Sequence, residues 1–129
     1  MKANLTLITT LLVGAALGAA AIQTLHAQAK APVYVVVEFD AITDPAGYAA
    51  LGSRSTEALT AAMKDAGGRY LARTDKITGI DGTAPKRMLI IAFDSNEKVQ
   101  SWYNSAAQKE VSAIRNKTTK SRVFAVEGM

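Results

Sequence analysis

The segment that decides the fold is Pro85-Lys86-Arg87-Met88-Leu89-Ile90-Ile91-Ala92-Phe93-Asp94-Ser95, and Trp102-Tyr103-Asn104-Ser105 follows it closely. The run from Pro85 to Phe93 is apolar at both alternating sets of positions, which is typical of a central strand covered on both faces. Asp94-Ser95 then supplies a helix cap. The sequence therefore predicts a central strand that leads directly into a helix, and this helix carries the only tryptophan of the chain.

Three further segments have the composition of strands, because they are rich in β-branched and aromatic residues and are bounded by turn signals. They are Val33–Asp40, Arg69–Arg73 and Ser121–Glu127. The second is short and flanked by charges, which is typical of a sheet edge.

Two helical segments separate these strands. The first begins at Asp44-Pro45 and ends at Gly67-Gly68, with a weak point at Gly52-Ser53. The second runs from about Asn96 to about Thr119, with an interruption at Asn104-Ser105. The order is therefore β-α-β-β-α-β. It predicts an α+β protein of the ferredoxin-like type, with a four-stranded antiparallel sheet and two helices on one face.

Residues 1–29 have the pattern of a secretory signal. A short start with Lys2 precedes the apolar stretch Leu5–Ile22, and Ala27-Gln28-Ala29 has the small-x-small form of a cleavage site. We expect a signal peptide over residues 1–29, a single domain over residues 30–129 and a periplasmic or secreted location. The alternative is an uncleaved anchor, since the apolar run approaches the ~20 residues that span a membrane. Only in that case would the protein contact a membrane.

The composition limits the chemistry of the chain. It has no cysteine, and its single histidine, His26, lies within the predicted signal. Thiol nucleophiles, zinc and haem sites and histidine-based acid–base catalysis are therefore disfavoured, and we predict neither a metal nor a cofactor. The net charge of +4 comes from dispersed basic residues, so no nucleic-acid partner is expected either.

The face of the predicted sheet that lies away from the helices is also partly apolar. It carries Tyr34, Val36 and alternate residues of the third strand. A continuous apolar face left in water usually marks an interface. Two such sheets packed face to face would bury it with closed symmetry, so the sequence predicts a homodimer.

Taken in order along the chain, many short motifs resemble the domain of unknown function family 1330. They are Tyr34-Val35-Val36-Val37-Glu38, Thr43-Asp44-Pro45, Gly67-Gly68-Arg69-Tyr70-Leu71-Ala72-Arg73, Pro85-Lys86-Arg87, Phe93, Trp102-Tyr103-Asn104-Ser105, Ser121-Arg122 and Val126-Glu127-Gly128. The resemblance covers roughly residues 32–128 and implies the dimeric α/β-barrel version of the ferredoxin-like fold. It implies no particular reaction. The chain departs from the family pattern at Thr74-Asp75-Lys76, at Asp94 and at Ala106-Ala107-Gln108.

Six residues are candidates for ligand binding. Glu38 lies in the middle of a strand, where a buried unpaired carboxylate is costly. It is either an acid or base of a pocket, a carboxylate paired with an arginine such as Arg87 or Arg73, or a group solvated at the end of the sheet. Arginines on or beside strands could converge on an anionic ligand, or could serve solubility and ion pairing. Aromatic side chains at a helix stripe or strand are more often packing residues. The six candidates are Tyr34, Glu38, Arg73, Arg87, Trp102 and Arg122.

Three functional hypotheses follow. The first is an exported protein that binds a small organic ligand between sheet and helices. The second is a cofactor-independent enzyme, similar to monooxygenases or isomerases, that would use Glu38, tyrosines or arginines. The third, an RNA-recognition module, is rejected, because Arg87–Phe93 offers only a terminal phenylalanine for base stacking.

Overall fold

A computed structural model describes residues 30–53 and 56–129 of the protein. The predicted signal segment, residues 1–29, lies outside the described residues. Ala31–Met129 forms one compact unit. None of the helices in the described part is long and apolar enough to cross a membrane.

The described residues form four strands and four helices. The strands are β1 (Val33–Ile42), β2 (Arg69–Thr74), β3 (Arg87–Phe93) and β4 (Thr119–Glu127). The helices are α1 (Pro45–Ser53), α2 (Thr56–Asp65), α3 (Asn96–Tyr103) and α4 (Ala106–Thr118).

The four strands form one sheet in the order β2-β3-β1-β4, and every neighbouring pair is antiparallel. The strand predicted from Pro85 to Phe93 occupies a central position as β3, next to the equally central β1. The short β2 lies at an edge. This arrangement confirms the predicted ferredoxin-like α+β fold.

The core lies between the sheet and the helices. Along β1 the burial alternates, because successive side chains of a strand point to opposite faces. Val35 faces the helices beside its β3 partner Ile91, and Phe93 of β3 is completely buried. Met63 of α2 and Trp102 of α3 close this core from the helix side.

Local signals fix where the first helical layer begins and ends. Asp44 caps α1, since its Oδ1 accepts the N–H of Gly47 at 3.0 Å. After α2, Gly67 has a φ of +68°, and the N–H of Gly68 donates to the carbonyl of Met63 at 2.9 Å. This hydrogen bond belongs to the glycine-based Schellman motif, which needs the left-handed conformation at Gly67. Both predicted ends of this segment are therefore confirmed.

The second of the two predicted helical segments contains two helices. In the second segment, α3 ends at Tyr103 and a new cap starts α4, because Ser105 Oγ accepts the N–H of Gln108 at 3.3 Å. In the first segment, α1 is described up to Ser53 and α2 from Thr56 onward. The weak point predicted at Asn104-Ser105 coincides with the break between α3 and α4. The weak point predicted at Gly52-Ser53 borders residues 54 and 55, which lie outside the described residues.

Three strands are longer than predicted and one is shorter. β2 extends one residue further, to Thr74, and β3 begins at Arg87 rather than at Pro85. β1 continues to Ile42 and β4 begins at Thr119, because the two strands keep pairing, Ile42 with Thr119, beyond a register shift between Phe39 and Ala41. The shift has the form of a β-bulge, which allows pairing to resume after one unpaired position. When the alternation pattern of each strand is considered alone, the predicted β1 ends too early and the predicted β4 begins too late.

Candidate functional site

A cavity of about 460 Å³ lies between the helices and the sheet. All four helices and the strands β1, β2 and β3 contribute to its wall. Its volume lies within the range of pockets that hold small organic ligands, about 300–1,000 Å³. The fold therefore provides an internal site of ligand size.

Much of the cavity wall is apolar or aromatic. Trp102 is 4% exposed and packs against Phe93, with ring centroids 5.4 Å apart, so its indole is both part of the core and part of the wall. Tyr48 packs edge-on against Phe39 at 6.0 Å. Other apolar residues of the wall are Val37, Leu51, Leu59, Met63, Leu89, Ile91 and Val111.

Three arginines also line the cavity: Arg73, Arg87 and Arg115. Arg73 is exposed at the rim, where its guanidinium lies 5.8 Å from the ring centroid of Tyr70. Arg87 is half-buried and pairs in register with Phe39, on the helix side of the sheet. No aspartate or glutamate is among the described residues of the wall. The charge of this wall is therefore cationic.

Arg115 is the most deeply buried of the three and was not among the predicted site residues. Its exposed fraction is 5%. Its Nη2 donates to Oδ1 of Asn116 at 3.3 Å, while its Nε has no hydrogen-bond partner among the described residues. A sequence signal for it exists, because Gln108, Val111 and Arg115 recur at helical spacing along the inward stripe of α4.

The six predicted candidates divide between the two faces of the sheet. Arg73, Arg87 and Trp102 line the cavity. The other three, Tyr34, Glu38 and Arg122, alternate with the inward residues of β1 and β4 and lie on the opposite side, which we call the open face. The structure therefore brings together two of the predicted arginines and separates them from Glu38.

Glu38 forms an ion pair with Arg122, its partner in the β1–β4 register. The Glu38 side chain is 16% exposed and that of Arg122 is 68% exposed. The prediction that Arg87 or Arg73 pairs with Glu38 was wrong. Both point to the cavity side of the sheet, where the carboxylate of an open-face residue does not reach them.

The remainder of the open face is largely apolar and is arranged in rows across the strands. One row joins Ile90, Val36 and Phe124, and the next joins Ala92, Tyr34 and Val126. Phe124 is 42% exposed and Val126 is 46% exposed. The ion pair of Glu38 with Arg122 borders these rows at one end.

In the described part of the chain, no group of three or more histidine, cysteine, aspartate or glutamate side chains is placed to hold a metal ion. The polar and aromatic groups of the wall residues are guanidinium, phenol, indole, amide and hydroxyl groups, and Met63 adds a thioether.

A four-stranded antiparallel sheet with its helices on one side and a cavity beneath them defines the chain as a ferredoxin-like α+β domain. The family described as Domain of unknown function (DUF1330) matches residues 32–129. The chain belongs to this family, as its motifs predicted.

Several solved structures share the fold. A protein of unknown function from Rhodopseudomonas palustris is 13% identical, with a TM-score of 0.57, over 84% of this chain and 92% of that chain. A conserved protein from Methanosarcina mazei Go1 is 10% identical, with a TM-score of 0.57, over 81% and 99%. SnoaB, a cofactor-independent oxygenase from Streptomyces nogalater, is 12% identical, with a TM-score of 0.51, over 77% and 94%. None of the curated proteins matches the sequence. At these identities the likeness concerns the fold.

Proposed function

We propose that the protein is exported, assembles as a homodimer and binds a small organic molecule in the cavity between its helices and its sheet. The observation that carries the proposal is the cavity itself, about 460 Å³ in volume. Apolar walls with a few convergent polar groups are typical of small-molecule sites.

A ligand-binding function is better supported than an enzymatic function in which Glu38 is the catalytic group. The enzyme hypothesis depended chiefly on this carboxylate converging with an arginine on a pocket. Glu38 instead pairs with Arg122 on the open face, across the sheet from the cavity. An oxygenase such as SnoaB shares the fold, and a cofactor-independent enzyme remains the alternative function. Its chemistry would have to use the tyrosines and arginines of the wall.

The open face supports the homodimer. Within one chain Ala92 is fully covered, but the other side chains of its rows are only partly covered, and Phe124 and Val126 leave nearly half of their surface to solvent. A second copy of the same sheet offers a self-complementary apolar surface, as closed two-fold symmetry requires. The cavity lies on the other side of the sheet, so dimer formation leaves its wall intact.

Export is proposed from the sequence of residues 1–29, with its charged start, apolar stretch and Ala27-Gln28-Ala29 pattern. Cleavage after Ala29 would leave a chain that begins at Lys30, two residues before the segment that the family matches.

Native mass spectrometry tests export, dimer formation and ligand binding in one experiment. The full 129-residue chain is expressed in a bacterial host, and protein from the periplasmic fraction is measured under native and then denaturing conditions. We expect a chain that starts at Lys30, a native mass of twice that chain, and an additional small mass that is lost on denaturation.

Each part can fail separately. A chain of 13.6 kDa that retains Met1 in the membrane fraction would contradict cleavage and favour the anchor. A native monomer at micromolar concentration would contradict the homodimer. Absence of a retained small molecule, together with no binding of any compound from a metabolite extract, would contradict the ligand-binding function.

A further inference from the structure

We infer that the ligand of the cavity is an organic anion, specifically a carboxylate on an apolar body, and that Arg115 is its main charge partner. This inference rests on the proposed ligand-binding function and specifies the class of ligand. It is carried by the burial of Arg115, by the charge of the wall and by the apolar character of the remaining wall.

The burial of Arg115 is the first argument. Moving a guanidinium out of water is costly unless another charge or a full set of hydrogen bonds compensates it. Arg115 is 95% removed from solvent, as its exposed fraction of 5% shows, yet among the described residues no carboxylate forms an ion pair with it. Its Nε is buried without a partner in residues 30–53 and 56–129, and its one described side-chain hydrogen bond is the 3.3 Å contact with Asn116. The group is therefore desolvated, lines the cavity and keeps one buried donor, Nε, without a partner among the described residues.

The charge of the wall is the second argument. Arg87 and Arg73 line the same cavity as Arg115, and the described wall contains no acidic residue. Guanidinium groups remain charged at physiological pH, and in a low-dielectric site their field is screened less than in water. Arg73 is solvated at the rim, but a neutral ligand would leave the charges of the buried Arg115 and the half-buried Arg87 without a counter-charge at the cavity. An anion compensates them, and the planar fork of a guanidinium matches a carboxylate with two parallel hydrogen bonds.

The apolar wall decides between an apolar carboxylate and a small inorganic anion. Trp102, Leu89, Val37 and Met63 line the cavity together with the arginines. A phosphate or sulfate ion would leave most of these surfaces against water. A molecule with a hydrocarbon or aromatic body would bury them and place its carboxylate at the arginines. Such a ligand uses both parts of the wall.

The fluorescence of Trp102 reports ligand binding, because Trp102 is the only tryptophan of the chain and lies in the cavity wall. The purified protein, freed of retained molecules by refolding, is titrated with octanoate and phenylacetate. Octanamide and phenylacetamide serve as uncharged counterparts of the same shape, and inorganic phosphate serves as the polar anion. Trp102 fluorescence and isothermal titration calorimetry report binding.

We expect each carboxylate to bind about ten- to hundredfold more tightly than its amide, the range for one charge-assisted interaction. Phosphate should bind more weakly than either carboxylate. Arg115→Met keeps the length of the side chain and removes its charge, so it should abolish the difference between carboxylate and amide while amide binding persists. Arg87→Met, at a half-buried position, should reduce the same difference in part, and it serves as a second test if Arg115→Met does not fold.

Arg122→Met is the matched control, because Arg122 is also a strand-associated arginine but lies on the open face, outside the cavity. It should leave the preference for carboxylates unchanged. Equal affinity of carboxylates and amides would overturn the inference and leave the ligand-binding function standing. So would an Arg115→Met protein that keeps the wild-type preference. Failure of both series to bind would overturn this ligand class, while the retained molecule in native mass spectrometry tests the broader function independently.

Discussion

Substitution Phe124→Ala should weaken the homodimer without unfolding the chain. Phe124 stands in the apolar row with Val36 and Ile90 on the open face and is 42% exposed in a single chain. A phenylalanine side chain has about 200 Å² to bury, so roughly 80 Å² of it is available to a partner. At about 25 cal/mol per Å², that surface contributes about 2 kcal/mol.

In a two-fold dimer the same side chain occurs twice, which brings the contribution to about 4 kcal/mol, or about a thousandfold in the dissociation constant. Alanine retains Cβ, and buried area converts incompletely into affinity. We therefore expect the dissociation constant of the dimer to rise by about ten- to a thousandfold.

Sedimentation equilibrium over a range of protein concentrations measures this constant, and thermal unfolding at high concentration shows that the variant is folded. Ile80→Ala is the control, since Ile80 is an exposed aliphatic residue, at 99%, in the loop between β2 and β3 rather than on the sheet. It should leave dimerisation unchanged. The same dissociation constant for Phe124→Ala and wild type would refute the assignment of the open face as the dimer interface.

Two further substitutions test the fold and the placement of Glu38. In Gly68→Ala the new Cβ would lie 2.7 Å from Cε1 of the fully buried Phe93, so we expect a loss of about 1–3 kcal/mol in urea denaturation. Gly52→Ala, in a helix with nothing within 4 Å of the new Cβ, should instead stabilise by about 0.5–1 kcal/mol. A Gly68→Ala protein with the wild-type midpoint would show that the packing of Gly68, in the turn after α2, against Phe93 of β3 is looser than described. Glu38→Gln should change stability by no more than about 1 kcal/mol, because its partner Arg122 is largely exposed and water screens the pair. It should also leave octanoate affinity unchanged, and a tenfold loss would mean that Glu38 acts on the cavity after all.

The fold was predictable because its signals are local. The alternation of Val33–Phe39, the cap at Asp44-Pro45 and the glycines at 67 and 68 each fix one element, and the order of elements then selects the sheet topology. Residues Pro85–Phe93, apolar on both sides, identified the central strand in the same way. No long-range information was needed for these steps.

The site was predicted only in part, because its assembly depends on registers between distant segments. Glu38 and Arg122 are 84 positions apart, and only the alignment of β1 with β4 shows that they pair. Successive side chains of a strand point to opposite faces, so the pairing of Phe39 with Arg87 puts Glu38 and Arg87 on different faces of the sheet. This pairing cannot be read from the sequence of either strand alone. Arg115 was not predicted as a site residue for a different reason. An arginine on an amphipathic helix is expected to reach solvent, and Arg115 is buried only because of the tertiary packing of α4.

The sheet also has an evolutionary consequence, which follows from its alternation. Over Val33–Phe39 of β1 and Arg87–Phe93 of β3, the odd-numbered positions, such as Val37 and Leu89, face the helices and include the residues of these strands that line the cavity. The even-numbered positions, such as Val36 and Ile90, belong to the open face. Under the proposed function, a mutation at an odd-numbered position can alter which ligand the cavity binds, and a mutation at an even-numbered position can alter the proposed dimer interface. Neighbouring codons can then be selected for two unrelated properties, ligand preference and dimer formation.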